Sequence, residues 1–290
     1  MIAAEFEYLV PSSIEEATSL LGRHGDEAKL LAGGHSLVPI MKLRLAQPRY
    51  LIDIGRLPGL SYIKEDDGTV AIGALTTHHM LETSELLRSK LPLLPETAAV
   101  IADIQVRNRG TIGGSLVHAD PAADLPATAL ALDAEVRATG PRGERGIKAD
   151  DFFVGVLTTA TGADEIVTEV RFPLPQARSG SAYLKAANPA SHYAIVGVAV
   201  VVTLDGDGRC RRARIGLTGV SFKPFRALAA EDALAGKEMD DGVIAEAAEK
   251  AADGVQAVSD LHASAEFRLH LTKVNTKRAL HLALSRARTG

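Results

Sequence analysis

The sequence predicts an α+β protein of about two domains, and three observations predict it. Its 290 residues are roughly twice the length of a single domain of about 150. The first segment reads as α/β and the region of about 56–177 as mixed, whereas 178–290 read as strands followed by a run of helices, the segregated order of an α+β chain. Hydrophobic residues make up 46% and charged residues 23%, the composition of ordinary globular material.

The elements follow in order. Ser12 and Ser13 stand three residues before Glu15 and Glu16, a doubled capping-box signal. Ile14, Ala17, Leu20 and Leu21 then recur at helical spacing until Gly22 and Gly25 stop the helix. Ala28–Ala32 is a short apolar run that fits a buried strand and leads into Gly33-Gly34-His35-Ser36, and a second run, Tyr50–Ile54, closes this unit near Gly55. After the turn signal Asp66-Asp67-Gly68, Val70–Ala74 reads as a strand. Thr76 or Thr77 is placed to cap a helix through His79, Met80 and Leu81, another helix is expected over Leu94–Ile104, and Glu165–Phe172 alternates as a strand.

Pro173–Ser181, with two prolines and Gly180, is the expected domain boundary. It divides a domain of 1–177, itself in parts of about 1–55 and 56–177, from a C-terminal domain of 178–290. There Ala194–Leu204 is a continuous apolar strand, Asp205-Gly206-Asp207-Gly208 turns the chain, and Cys210–Leu217 returns antiparallel. Helices are expected over 227–235, 242–257 and 264–287, the last with Phe267, Leu271 and Val274 along one face.

Composition excludes several functions. With 32 basic against 36 acidic residues the chain lacks the surplus of a nucleic-acid binder, and with no Trp it is poor in stacking platforms. The single cysteine, Cys210, allows no internal disulfide, no Cys-rich zinc site and no iron–sulfur cluster held by this chain alone. Glu5 and Glu7 stand where a signal peptide carries positive charge. The longest apolar run, Ala194–Val202, is far short of the roughly 20 residues of a membrane span. The expectation is a cytoplasmic protein.

Two glycine segments share a physical design. Gly33-Gly34-His35-Ser36 follows a predicted strand, and Gly113-Gly114-Ser115 follows Thr111. Paired glycines let a backbone turn tightly and approach a ligand, and successive N–H groups then form a nest for phosphate oxygens. Ser36, Thr111 and Ser115 add hydroxyls beside them, and two such loops suit the pyrophosphate of a dinucleotide. Neither is the G-x-G-x-x-G of a Rossmann helix, and no P-loop is present. His35, His78, His79, His118 and His192 match no metal-ligand spacing. Residues 261–290 carry six basic side chains against Glu266 alone, a solvated face or a dock for an acidic partner.

The longer text is more specific. AGGHSLVPIMKLRLAQPRYLIDI (Ala32–Ile54) and NRGTIGGSLVHADPAADLPA (Asn108–Ala127) resemble the two flavin-binding segments of the FAD-binding medium subunits of molybdenum hydroxylases. The likeness extends through YLKAANPASHYAIVGVAV over essentially the whole chain, nearest in layout to the carbon monoxide dehydrogenase type.

That resemblance implies a two-subdomain FAD-binding fold of the PCMH type. It places Leu30, Leu31, Ala32, Gly33, Gly34, His35, Ser36 and Leu37, with Thr111, Ile112, Gly113, Gly114 and Ser115, around the FAD pyrophosphate. Asp124 matches a cofactor-contacting position, Ile101 and Val167 apolar positions near the flavin, Lys185 a lysine at the flavin end, and Tyr193 an aromatic by the isoalloxazine. Ser115 replaces an Asn found in many members. No residue of this chain is assigned to catalysis or to a metal.

The implied partners are a large molybdenum-cofactor subunit and a small [2Fe-2S] subunit, in a dimer of heterotrimers that touches a membrane at most peripherally. The implied function is electron transfer from the iron–sulfur subunit to an external acceptor. The rivals are a stand-alone FAD oxidoreductase on the same fold and an assembly subunit without FAD.

Overall fold

A computed structural model describes residues 2–289. The chain opens with a small parallel sheet, in the order β1 (Glu7–Leu9), β3 (Tyr50–Asp53), β2 (Ala28–Leu31). Helix α1 (Ile14–His24) links the first two strands by lying across Ala28 and Ile52. Its start follows the capping signal: Ser13 Oγ accepts from Glu16 N, and the Glu16 carboxylate reaches back to Ser12 N and Oγ. A short helix α2 (Leu37–Lys42) follows the first glycine segment.

The second unit is an antiparallel sheet of five strands, β4 (Ile63–Asp66), β5 (Thr69–Gly73), β6 (Glu135–Gly140), β7 (Gly143–Lys148) and β10 (Ile166–Pro173), in the order β4-β5-β10-β6-β7. The hairpin β8 (Phe153–Gly155) and β9 (Thr158–Thr159) lies beside it. Between β5 and β6 run six helices: α3 (His78–Thr83), α4 (Glu85–Lys90), α5 (Leu93–Ala99), α6 (Ile104–Arg107), α7 (Ile112–His118) and α8 (Asp124–Ala131). They bury Leu81, Leu87, Leu93, Leu94, Leu116 and Leu125 against Val70, Ile72, Val136 and Phe172. Each fully buried side chain of this size contributes about 1.5–3 kcal/mol. A four-residue helix α9 (Ala149–Phe152) seats the fully buried Phe152.

The helix expected over Leu94–Ile104 is instead two helices. α5 ends at Ala99, Ala102 takes a left-handed φ of 42°, and Asp103 caps α6 by accepting from Val106 N. Arg107 donates to the Ile101 and Ala102 carbonyls, so a side chain supplies the bonds that a continuing helix would have made.

The C-terminal unit is a four-stranded antiparallel sheet, β11 (Ser179–Ala187), β12 (Ala194–Leu204), β13 (Cys210–Thr218) and β14 (Phe225–Arg226). It carries α10 (Leu228–Leu234), α11 (Asp241–Lys250) and α12 (Ala265–Thr289). Strand β12 is apolar from Ala194 to Val202 and packs on both faces. Val196, Val198, Val200 and Val202 face α12, while Ala199 and Val201 face the preceding unit. Gly216 admits α8 on that second face, since a Cβ there would strike the Ala127 carbonyl.

One helical expectation needs correction here. The helix expected over 242–257 stops at Lys250, followed by a turn in which Gly254 has a φ of 69°. In α12 the face of Phe267, Leu271 and Val274 is only partly covered, with Phe267 exposed and Leu271 packed against the core, while the fully buried stripe is Ala279, Leu280, Ala283, Leu284 and Ala287. Small residues win there because α12 lies so close to β11 that a Cβ on Gly180 would strike the Ala283 carbonyl.

Candidate cofactor site

The two N-terminal sheets and the C-terminal unit enclose a cleft of about 690 Å3, within the roughly 300–1,000 Å3 of small-molecule and cofactor sites. One wall is the first glycine segment. Gly34 takes a φ of 77° and Ser36 an αR conformation. Among the described residues no protein acceptor takes the backbone N–H of Gly33, Gly34, His35 or Ser36. Four free donors on a turn that borders the cleft form the nest that glycine pairing allows.

The second segment is built differently. Thr111 caps α7, and Gly113 and Gly114 lie in its first turn. Every N–H of that turn is already taken: Ile112 by Thr76 O, Gly113 by Ala74 O, Gly114 by Thr111 Oγ1 and Ser115 by Thr111 O, all within 2.9–3.1 Å. The pair of glycines is therefore not a second nest. Gly113 is bare because a Cβ would lie 2.6 Å from the Ala74 methyl, and Gly114 because one would lie 2.8 Å from Thr111 Oγ1. Close approach, rather than free N–H groups, is what this segment presents to the cleft, together with Ser115. The segments meet directly, because a Cβ on Gly33 would strike the Arg109 carbonyl.

The structure gathers most of the positions singled out in the sequence. Leu30, Ala32, Gly33, Gly34, His35, Ser36 and Leu37 line one side, with Thr111, Gly113, Gly114 and Ser115 near them; Ile101, Asp124, Val167 and Tyr193 line the rest. Three positions stand back from the cleft. Leu31 continues β2 behind the loop, and Ile112 is 1% exposed in the core. Lys185 Nζ is engaged with Asp124 Oδ2 and the Val100 carbonyl, each at 2.9 Å.

Asp124 is the polar centre of that corner. Its other oxygen accepts from Tyr183 Oη at 2.5 Å. Burial raises the Asp124 carboxyl above its ordinary value, while Lys185 and Tyr183 pull it back. Tyr193 is half-exposed at the mouth; burial and the nearby Asp120 and Asp124 carboxylates raise its hydroxyl.

Sequence reasoning passed over several lining residues. Asp120 lines the cleft; its Oδ1 accepts from Ala122 N, and His118 Nε2 lies 4.0 Å from its other oxygen. The turn Thr161–Glu165 has no motif of its own. It is held by Glu165, which accepts from Gly162 N and from Arg145, and these bonds bring that carboxyl down to about 2. His78 also borders the cleft.

A cleft with an open backbone nest and hydroxyls beside it, closed over by a second domain, defines the nucleotide-cofactor class of site, and comparison with known proteins gives the cofactor. A family model described as the FAD binding domain in molybdopterin dehydrogenase matches residues 4–175, and one for the CO dehydrogenase flavoprotein C-terminal domain matches 181–283. The 6-hydroxypseudooxynicotine dehydrogenase complex subunit alpha of Paenarthrobacter nicotinovorans is 44% identical over 98% of this chain and 96% of its own length. The carbon monoxide dehydrogenase medium chain of Hydrogenophaga pseudoflava is 42% identical over 99% of both. A solved structure of carbon monoxide dehydrogenase from the same organism superposes with a TM-score of 0.96 at 44% identity, covering 99% of each chain. The chain belongs to the family of FAD-binding medium subunits of the molybdenum hydroxylases, and is a flavoprotein subunit of an oxidoreductase complex.

Proposed function

We propose that this chain is the electron-transfer subunit of a carbon monoxide dehydrogenase-type complex, taking electrons from a [2Fe-2S] subunit and passing them to an external acceptor. The observation that carries the reading is the set of four N–H groups at Gly33–Ser36, without a protein acceptor among the described residues, on a turn that lines the cleft. The residues fit the cofactor: the nest suits a pyrophosphate, and its floor is a glycine whose Cβ would close the gap to Arg109.

In this reading Ala32, Gly33, Gly34, His35 and Ser36 hold the pyrophosphate, with the hydroxyls of Thr111 and Ser115 beside it. Leu30, Leu37, Gly113 and Gly114 shape that half of the cleft, and Leu31 and Ile112 back it from behind. Ile101 and Val167 supply apolar walls and Tyr193 an aromatic one. Asp124 orients the polar edge, and Lys185 acts through it. Bound FAD supplies a centre that accepts and releases electrons singly or in pairs. The chain's part is to bind it, exclude water from Ile101 and Val167 inward, and hold charge at Asp124.

The reading extends to a cytoplasmic dimer of heterotrimers with a large molybdenum-cofactor subunit and a small iron–sulfur subunit. Among the described residues no helix is long and apolar enough to cross a membrane. The relatives named for carbon monoxide and for 6-hydroxypseudooxynicotine are similar to this chain at nearly equal identity, so the substrate is a property to be measured on the complex.

The test is a visible spectrum of the chain affinity-purified from its host. Flavin and iron–sulfur absorption with two further chains is the expected result. Flavin alone, with turnover of a small molecule by the pure chain, overturns the subunit reading in favour of a stand-alone oxidoreductase. A chain free of flavin overturns both.

A further inference from the structure

The cleft wall at Ile101 is held from behind by a side chain that belongs to neither glycine segment. The turn that joins α5 to α6 has three successive carbonyls taken by cations. Lys185 Nζ donates to the Val100 carbonyl at 2.9 Å, and Arg107 Nη1 donates to those of Ile101 and Ala102 at 3.1 and 3.2 Å. Arg107 is fixed at its other edge as well, where Nε donates to Glu82 Oε2 at 2.9 Å. The two side chains are 15% and 26% exposed. One guanidinium thus ties α3, α6 and the turn together.

The turn depends on that hold. Ala102 takes a φ of 42°, a left-handed conformation that residues other than glycine seldom adopt and that persists where its surroundings over-determine it. The hold also sets a direction. In a trans peptide the N–H points opposite to the carbonyl, and among the described residues no peptide is cis. Ile101 and Ala102 border the cleft, whereas Arg107 does not. With the Ile101 carbonyl drawn back to the guanidinium, the Ala102 N–H of the same peptide is turned toward the cleft. Among the described residues it has no protein acceptor, and the neighbouring lining residues Ile101 and Val106 are apolar. A backbone donor in such a wall requires a partner from outside the protein.

We propose that Arg107 is a positioning residue for the flavin: by holding the Ile101 and Ala102 carbonyls it aims the Ala102 N–H at the isoalloxazine ring as a hydrogen-bond donor. The inference rests on the FAD reading of the cleft, in which Ile101 walls the flavin, and adds to it a residue outside both glycine segments. A donor on the ring favours reduced flavin, because added electrons raise the charge on the ring's nitrogens and carbonyl oxygens and strengthen the bond. Arg107 therefore helps to set the potential at which this chain takes and releases electrons, without touching the cofactor.

The test uses the complex purified from its host and compares wild type with Arg107→Met and Glu82→Leu. The flavin midpoint potential is read by redox titration of the flavin absorbance, alongside the flavin-to-protein ratio. Arg107→Met is expected to keep its FAD, to shift the flavin band and to lower the potential. A tenfold loss of preference for reduced flavin is expected, about 30 mV for a two-electron couple. Glu82→Leu separates holding from charge. Removing that carboxylate would by itself raise the potential, but it also frees the guanidinium from its anchor, and a lowered potential is expected. An unmoved potential in Arg107→Met, or an unmoved or raised one in Glu82→Leu, overturns the inference and leaves the flavoprotein reading intact. If Arg107→Met does not assemble or loses its flavin, Glu82→Leu decides alone. A wild-type complex without FAD overturns the reading of the cleft and the inference with it.

Discussion

Lys185 Nζ lies 2.9 Å from Asp124 Oδ2 and 2.9 Å from the Val100 carbonyl, with the lysine and aspartate side chains 5% and 6% exposed. The lysine stands on the C-terminal sheet; Asp124 opens α8 and Val100 follows the end of α5, next to Ile101 in the cleft wall. Removing one partner of a buried pair strands the other charge, which costs about 3–5 kcal/mol. Lys185→Met is therefore expected to destabilise the chain by about that amount in urea unfolding, and the double variant with Asp124→Asn to recover most of it.

The same pair sets a pH dependence. Burial raises the Asp124 carboxyl, so the folded chain binds that proton more tightly than the unfolded one. Its ionisation therefore removes stability as pH rises through the window above the ordinary carboxylate value. Lys185 limits this loss in the wild type. In Lys185→Met the decline with rising pH is expected to be steeper, as read from denaturation midpoints between pH 4 and pH 8, in roughly the range where a raised carboxylate titrates.

Gly33→Val is expected to weaken flavin binding by forcing two segments apart. Its side chain meets the Arg109 carbonyl and pushes apart the two segments that flank the cleft. Overpacking of this kind costs about 1–3 kcal/mol, so the FAD Kd should rise at least about fivefold. Gly114→Val acts on the Thr111 cap instead and should also lower the flavin-to-protein ratio. Full flavin content in both purified variants would contradict the placement of the cofactor.

His78 titrates near pH 4 in the folded chain and near 6.5 when unfolded. Below 6.5 the unfolded chain takes up a proton that the folded chain refuses, so stability falls as pH drops through this window. At about 1.4 kcal/mol per unit, roughly 3 kcal/mol is lost by pH 4. His78→Gln apo-protein is expected to show a correspondingly smaller acid loss.

The basic C-terminal helix divides into two kinds of residue. Arg268 is 4% exposed and donates to the Ile195 and Gly219 carbonyls at 2.6 Å and to Asp260 at 2.7 Å. Arg268→Met leaves those acceptors unpaired, and a loss of about 2–5 kcal/mol is expected. Lys277 is exposed, and Lys277→Met should leave stability within about 0.5 kcal/mol. Equal effects of the two substitutions on the melting midpoint would contradict this division.

The sequence by itself determined the local elements and the first glycine loop. Ser13 and Glu16 announced α1, Asp205-Gly206-Asp207-Gly208 announced the return of β13, and Gly33-Gly34 announced a turn whose N–H groups are free. These signals are short in range, and caps, turns and φ preferences act within a few residues. Even the break at Ala102 had a local sign in Asp103, which caps the second helix, although apolar periodicity pointed through it.

Tertiary structure alone decided the rest. Tyr183 and Lys185, two apart on a strand, had to share a face, yet nothing near them in the chain told that Asp124 would stand between them. Gly113 and Gly33 both border the cleft and neither has room for a Cβ, but they differ in hydrogen bonding: the N–H of Gly113 is taken by Ala74 O, and that of Gly33 has no protein acceptor among the described residues. The buried face of α12 went to its alanines because of how close β11 lies, a distance set by Gly180. Hydrogen-bond satisfaction and close packing are settled between segments brought together by the fold, and no local pattern records them.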